Sequence, residues 1–490
     1  MKKDNIGIFE LLTQSSFNPY NQDLIMMTQV RKYRLGITTT LILSCVTTFI
    51  PQHAQAQQLV VDVNVFGFNS NQENASQQLA GACTAVADDT SEAAMDLLNT
   101  CQLIDDLDQN NPDDVVRLQE ILNTFAPEEA FSVNDSIVYV SDYQTTNVLS
   151  RINSLRRSPP TTDADSDSSE SYWQSGSSST LAFLGKDSAT EQRATGGGAA
   201  AVGPLSRVGL FFSGQFSSGD VDGSTYEQDA DISSNSFTTV ADYRLTDSIV
   251  AGIGFGVLQN ETTFSNVDGG TDSEGFNLTA FGSWYKESAG YIDVVLDFGT
   301  NSHDLERGIG NDPSAPVLAQ SSTDSSAFSF SIGAGRYFSI SNWDLGGYLR
   351  LSLTNGTIDG YTEEASNNND GSGSVFSLDS QKAESTTMVI GVEASRVIST
   401  SKAILIPVLR IEYESENEDR KDDLTATLVT SQISTSYRGT ERDTAYTNLG
   451  LGGSAVFKNG KSAYAFYETH LQHDFVTQNW IKFGLRLEFQ

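Results

Sequence analysis

From about residue 206 to the end of the chain, apolar and polar residues alternate. In "GYIDVVLDFG", Ile292, Val294, Leu296 and Phe298 fall on one side and Asp293 and Asp297 on the other. In "ILIPVLRIEYE", Leu405, Leu409, Ile411 and Tyr413 oppose Arg410, Glu412 and Glu414. In "SAYAFYETHL", Glu468 and His470 share the face opposite Tyr467 and Leu471. The last residues, "WIKFGLRLEFQ", place Ile481, Phe483, Leu485, Leu487 and Phe489 between Lys482, Gly484, Arg486 and Glu488. A period of two is the signature of a strand with one apolar face. It predicts twelve strands, at 206–217, 235–245, 248–259, 273–286, 290–302, 325–338, 342–354, 384–398, 401–414, 443–457, 461–472 and 477–489.

The connections between these windows alternate in length. Long ones fall near 218–234, 260–272, 303–324, 355–383 and 415–442. Short ones fall at Thr246-Asp247, 287–289, 339–341, Ser399-Thr400 and "KNGK", where Asn459-Gly460 suits a tight type I′ turn. The connection at 473–476 is short where the alternation asks for a long one. A bilayer offers no water to free backbone groups, so strands cross it as a closed sheet. An even strand number with one-sided long loops fits an all-β transmembrane barrel of 12 antiparallel strands. Its apolar face then meets lipid and its charged face lines a lumen. The alternative is a soluble sandwich or lipocalin-type sheet with the charges in water.

Ahead of the barrel the period changes. "ENASQQLAGACTAVA" and "SEAAMDLLNTCQLIDDL" carry apolar residues three and four apart, as helices do. "NPDDVVRLQEILNTF" offers Asn111 as an N-cap, Pro112 at the first helical position, and Asp113 and Asp114 at the positive dipole end. From Pro127, a stripe of Val133, Ile137, Val140, Gln144, Val148, Ile152 and Leu155 predicts a long helix, although the β-branched run at 137–140 also suits a strand. Thus a small mostly α-helical domain over 57–157 precedes the barrel over 203–490. Between them, residues 158–202 ("SPPTTDADSDSSESYWQSGSSS", "TGGGAAAVGP") read as a flexible acidic and Gly-rich linker.

Residues 1–56 form an N-terminal extension and an export signal. Arg31, Lys32 and Arg34 precede the apolar "LGITTTLILSCVTTFI", and Ala54–Ala56 supply an Ala-x-Ala motif with cleavage between Ala56 and Gln57. Met26 and Met27 are alternative starts. A lipoprotein reading at Cys45 is disfavoured by Leu43. Export leaves Cys83 and Cys101, which read as one disulfide stapling two neighbouring helices or else as two buried thiols.

Composition narrows the function. The 490 residues carry a formal net charge of -34, which argues against nucleic acid as a partner. Hydrophobic content of 38% suits strands with a single apolar face better than buried helices.

The stretches "GLFFSGQF", "TTVADYRLTDSIVAGIGFG", "GFNLTAFGSWY", "DGYTEEAS", "ISTSKAILIPVLRIEYE" and "NLGLGGSAVFKNGKSAYAFYETHLQHDFVTQNWIKFGLRLEF", in this order over nearly all of 203–490, resemble the autotransporters. These are type V secreted proteins with a twelve-stranded translocator barrel. "APEEAF" and "QTTNVLSRINSLR" resemble a short helical passenger of that family. The resemblance implies a protein of the Gram-negative outer membrane that displays its passenger at the cell surface for binding or adhesion, with the linker 158–202 threading the lumen. It implies outer-membrane lipid, the barrel assembly machinery, periplasmic chaperones and a surface ligand of unknown identity as partners. Lys482, Gly484, Leu487 and Phe489 resemble the terminal signal that the assembly machinery reads, with Gln490 as a departure because the aromatic usually comes last. The alternative is a pore-type or structural barrel whose helices stay as a plug or periplasmic domain.

Candidate chemistry is sparse. Residues 57–202 contain no histidine, so neither a Ser-His-Asp triad nor a common zinc site can be assembled there. "GKDSAT" is similar to the serine motif of surface esterases carried by some autotransporters, but Lys186 breaks the required order. "DADSDSSE" places Asp163, Asp165 and Asp167 as in a calcium loop, yet Ser168 stands where the turn glycine belongs. No catalytic residue, metal or cofactor is therefore expected. Asp242, Arg244, Arg350, Arg410, Glu412 and Glu468 are the lumen charges, either a network that grips the threading segment or ordinary solvated pore lining.

Overall fold

The computed structural model of the protein describes residues 68–156, 207–224, 226–265, 269–286, 290–309, 317–366, 371–418, 424–440, 444–457, 461–473 and 475–488. The export signal with Ala56 and Gln57, the linker 158–202, the Asn459-Gly460 turn and Phe489 lie outside these residues.

Four helices come first: α1 Ser70–Ala85, α2 Glu92–Asp105, α3 Pro112–Asn123 and α4 Glu129–Arg156. Their starts follow local chemistry. Asn69 and Gln72 form a reciprocal capping box on α1, and Ser91 accepts from the Ala94 amide to open α2. Asn111 caps α3 with Pro112 behind it. Cys83 and Cys101 are disulfide-bonded, with their Cα atoms 6.1 Å apart, and this joins α1 to α2. The β-branched run at 137–140 is helical, inside an unbroken α4 of 28 residues. Packing on both sides of that stretch outweighs the modest propensity of valine and isoleucine for strands. No described helix is long and apolar enough to cross a membrane, which says nothing of strands.

Twelve long antiparallel strands follow: β1 Val208–Val221, β2 Ala230–Thr246, β3 Ile249–Phe264, β4 Gly269–Lys286, β5 Gly290–Gly308, β6 Leu318–Ile340, β7 Trp343–Ile358, β8 Gln381–Arg396, β9 Ala403–Glu418, β10 Ala445–Phe457, β11 Ser462–Leu471 and β12 Val476–Glu488. Each pairs with its neighbour, and β12 returns to β1 in a register running from Gly209 opposite Glu488 to Val221 opposite Val476. The sheet is therefore closed and has no free edge among these strands. Ile253, Phe255, Leu278, Phe298, Ile390 and Leu451 point outward. Thr238, Thr279, Asp293, Asp297 and Glu468 are buried on the lumen side.

Several strands outrun their period-two windows. β5 continues to Gly308 and β6 begins at Leu318, so much of the connection expected over 303–324 is strand. Beyond the lipid no greasy face is required, and Ser321, Ser322, Thr323 and Asp324 pair without alternating. At the same end, Tyr361–Thr362, Phe376–Leu378, Leu424–Leu428 and Ser434–Tyr437 build a small second sheet.

The helices α1–α3 sit on that second sheet. Leu79, Leu97, Leu122 and Phe125 share one apolar core with Phe376, Leu378, Leu424 and Tyr437. The close approach is visible at Gly373, where an added Cβ would stand 2.5 Å from the Ala93 carbonyl oxygen. The helical region and the outer loops thus form one packed cap over the end of the barrel with long connections. α4, expected within the helical domain that ends at 157, leaves this cap and runs down the lumen. The expected thread, 158–202, lies outside the described residues.

Candidate functional site

α4 spans roughly 42 Å at the usual helical rise, enough to run the depth of a membrane barrel. Its apolar stripe packs on the wall through Val148 and Ile152 against Phe211, Val240, Phe281 and Val295. Around that stripe the contacts are small and polar. Ser132 shares a hydrogen bond with Thr271 at 2.8 Å, and Ser141 another with Ser329. Gln144 donates to Thr279 and accepts from Thr238, both at 2.8 Å, and Asn147 donates to Thr238 at 3.1 Å. Gln478 of β12 donates to the Tyr143 hydroxyl at 2.9 Å. The wall carries no side chain where Gln144 meets it: a Cβ on Gly256 would overlap the Gln144 amide.

Two ion pairs hold the lower half of the helix. Arg151 donates through Nε to Asp242 Oδ2 at 2.6 Å, with both side chains buried. Arg156 donates to both oxygens of Asp293 at 2.5 and 2.6 Å and lies 3.6 Å from the Tyr291 ring centroid. Charge-assisted bonds of this kind are strong and costly to half-break in a dry setting.

A third buried cation organises the outer rim. Arg307, near the end of β5, donates to Glu363 through Nε at 3.0 Å and through a second nitrogen, to the Ser374 carbonyl at 2.9 Å, and to the Thr124 carbonyl. One guanidinium therefore ties a barrel strand, the loop sheet and the cap. Two amides of α1 do similar work on loop backbone. Asn71 donates to the Tyr226 and Arg438 carbonyls at 2.9 and 2.8 Å and accepts from the Arg438 amide at 3.0 Å. Gln78 donates to the Ala426 and Ile433 carbonyls at 3.0 and 2.9 Å and accepts from the Tyr437 hydroxyl at 2.6 Å. At this rim burial lifts the Glu129 carboxyl to about 8 and the Glu128 carboxyl well above its ordinary range.

The six lumen charges divide. Asp242 bonds α4, as described. Arg244 bonds the Tyr285 hydroxyl within the wall. Arg410 donates to Glu468 at 2.9 Å and lies 3.4 Å from Glu412, which in turn accepts from Tyr348 at 2.6 Å. Lys482 donates to Glu468 at 2.7 Å. Arg350 borders the space between this wall and α4. Gly484 opposes Ser213 and lies under the Tyr464 ring, and Leu487 opposes Leu210. His303 bridges Ser273 at 2.7 Å and Ser325 at 2.8 Å. Among the described residues no group of His, Cys, Asp and Glu gathers as a metal site.

Reading the chain by parity finds Asp242 and Asp293 but does not find Arg307, Asn71 or Gln78. Arg307 has a usable signal, since it falls on the same alternating face as Asp293 and Asp297. Asn71 and Gln78 have none, because their partners lie 155 to 367 residues away in the loops and the second sheet.

A family model described as the autotransporter beta-domain matches residues 210–468. Among solved structures, the translocator domain of the autotransporter NalP from Neisseria meningitidis matches at 16% identity and a TM-score of 0.46, covering 58% of this chain and 89% of that one. The beta domain of the Bordetella autotransporter BrkA matches at 18% identity and a TM-score of 0.44, covering 58% and 100%. The transport unit of AIDA-I from Escherichia coli matches at 13% identity and a TM-score of 0.36, covering 58% and 90%. No curated protein matches the chain.

Proposed function

The chain belongs to the autotransporter family, and from that premise we propose that its barrel exports the helices α1–α3 and holds them at the cell surface as a small binding or adhesive module. Barrels of this family sit in the outer membrane of Gram-negative bacteria, and this one is an outer-membrane barrel. The observation that carries the proposal is the path of the chain. α1–α3 pack on the loops at the end with long connections, α4 descends the lumen, and Arg156 meets Asp293 and Tyr291 near the short-turn end. In outer-membrane barrels the long connections face outward and the short turns face the periplasm. The same end of the barrel receives the start of β1 beside the end of β12.

Assembly is part of the proposal. Export through the inner membrane on the signal, with its cleavage at Ala56–Gln57, delivery by periplasmic chaperones, and recognition of Lys482, Gly484, Leu487 and Phe489 by the assembly machinery are the steps that bring the barrel to its membrane. A final strand is an open edge until it pairs with β1, which suits it to be read by a strand of another protein. We assign the chain no catalysis. That assignment rests on the sequence of 57–202, which holds no histidine.

A second reading, a plugged structural barrel without display, is favoured by α4 itself, whose side chains are bonded to the wall along its length. Protease shaving of intact cells carrying an epitope near residue 70 separates the two. Loss of the tag with survival of the barrel is the expected result. A tag that resists until the outer membrane is opened overturns surface display and leaves the plug.

A further inference from the structure

The lipid-facing side of the wall carries its charge unevenly. At the end with long connections, carboxylates face outward: Asp231 on β2, Glu261 on β3, Asp272 on β4, Asp304 on β5 and Asp324 on β6 are all exposed. At the end with short turns the sign reverses. Among the described strand residues there, the outward-facing charges are Lys286 on β4, Arg336 on β6 and Arg396 on β8. In a chain with a formal net charge of -34, this is a local exception.

Two of these cations are held by neighbours. Arg336 lies four residues before the end of β6 at Ile340, about 10 Å of depth at the usual strand rise and barrel tilt. Its guanidinium carbon stands 4.9 Å from the Phe338 ring centroid, so the side chain bends toward the turn. Arg396 opposes Trp343 of β7 and lies 5.8 Å from that ring's centroid. Trp343 also opposes Ile340, the next outward position after Phe338. The two exposed rings are thus diagonal neighbours on adjacent strands, and each holds one guanidinium at the same edge of the apolar band. Beside Arg336 the wall is bare: its partner in register is Gly347, where an added Cβ would meet nothing within 4 Å. Among the described residues neither guanidinium meets a carboxylate.

A charge on the lipid face is costly at mid-depth and tolerable near the interface, where long stems reach the headgroup level. The anion met at that level is phosphate. A guanidinium offers it a planar fork of donors, and a ring beneath fixes where the fork points. Basic residues gathered at a membrane surface attract anionic lipid over zwitterionic lipid.

We propose that Arg336 and Arg396, with Phe338, Trp343 and the bare spot at Gly347, form a docking site on the outside of the barrel for an anionic phospholipid of the leaflet at the end with short turns. The guanidinia take its headgroup phosphate, and an acyl chain lies over Gly347. This rests on the chain's standing as an outer-membrane barrel, not on surface display, so failure of the shaving experiment leaves it intact.

The test uses the full chain, folded in detergent and read by native mass spectrometry with phosphatidylglycerol and phosphatidylcholine at equal concentration. The two lipids share the phosphate and differ in net charge. The parent is expected to retain phosphatidylglycerol several-fold more than phosphatidylcholine. Arg336→Gln combined with Arg396→Gln is expected to bring the two lipids to parity, while Lys286→Gln, at the same end on β4, leaves the preference nearly unchanged. Heat-modifiable migration reports that each barrel is closed. Either single arginine substitution, expected to weaken the preference, carries the test if the pair fails to close. Equal retention of both lipids by the parent overturns the proposal. So does a preference that survives the arginine substitutions, or a loss as large with Lys286→Gln. A dimer of the parent that the arginine substitutions dissociate also overturns it, because the face would then join two copies of the chain.

Discussion

The helical region touches the barrel in two places, and the two contacts are made of different materials. At the outer rim α1–α3 and the loop sheet share a core of leucine, phenylalanine and tyrosine. In the lumen α4 has a narrower apolar stripe, Val148 and Ile152, flanked by contacts to serine, threonine and glutamine, with two arginine–aspartate pairs below. Apolar burial supplies attraction in proportion to area, at about 25 cal/mol per Å². Hydrogen bonds supply little net energy each, about 1 kcal/mol, yet are costly to leave half-made. The rim therefore supplies the larger share of the attraction, and the polar contacts of the lumen fix the register of the helix.

The sharpest way to break this comparison is at the lumen. Asp242→Ala leaves Arg151 buried without its carboxylate, and removing one partner of a buried pair costs roughly 3–5 kcal/mol. Limited proteolysis during thermal unfolding in detergent is expected to show α4 released well below the parent's temperature. Replacing both partners with apolar residues, Asp242→Leu with Arg151→Met, is expected to recover most of that loss. If the double variant is as weak as the single one, register is not what the pair provides.

At the rim the expected loss is smaller and local. Changing Cys83 and Cys101 to serine removes a closure over 18 residues of sequence, worth about 3 kcal/mol in the chain-entropy model. The cap is expected to melt earlier while the barrel's own transition stays in place. Surface display that falls to nothing would contradict a purely local staple.

The mildest perturbation is proton concentration. Burial holds the Glu129 carboxyl at about 8 in the folded rim against an ordinary value of 4.5. The folded state thus favours the protonated form. Rim stability is highest at and below the ordinary value and declines as pH rises from there toward 8. Protease resistance of the cap is expected to be greater at pH 5 than at pH 8, and Glu129→Gln is expected to flatten the difference.

The barrel was legible because lipid enforces alternation residue by residue, and the windows at Ile292–Phe298 and Leu405–Tyr413 carry it plainly. The helices were legible through caps such as Asn111 with Pro112. The place of α4 was not. Its stripe from Val133 to Leu155 looks like that of any packed helix, and Ser141, Gln144 and Asn147 look like a solvent face until Ser329, Thr279 and Thr238 come up beside them. Parity put Asp242, Arg410, Glu412 and Glu468 on the inner face. It could not say that Asp242 would take a helix arginine while the other three would bond along their own wall, because pairing depends on which flank α4 leans toward.

The disulfide-linked cap has a mechanical meaning. α4 is an axle through a ring, the barrel is the ring, and α1–α3 with their Cys83–Cys101 clasp are the knob on the axle's outer end. The ring is part of the same chain as the axle, so nothing can slip off at the other end. A tug from the end with short turns meets the knob, and withdrawal requires it to uncoil against a covalent clasp. Resistance to pull is then a property of topology as well as of energy.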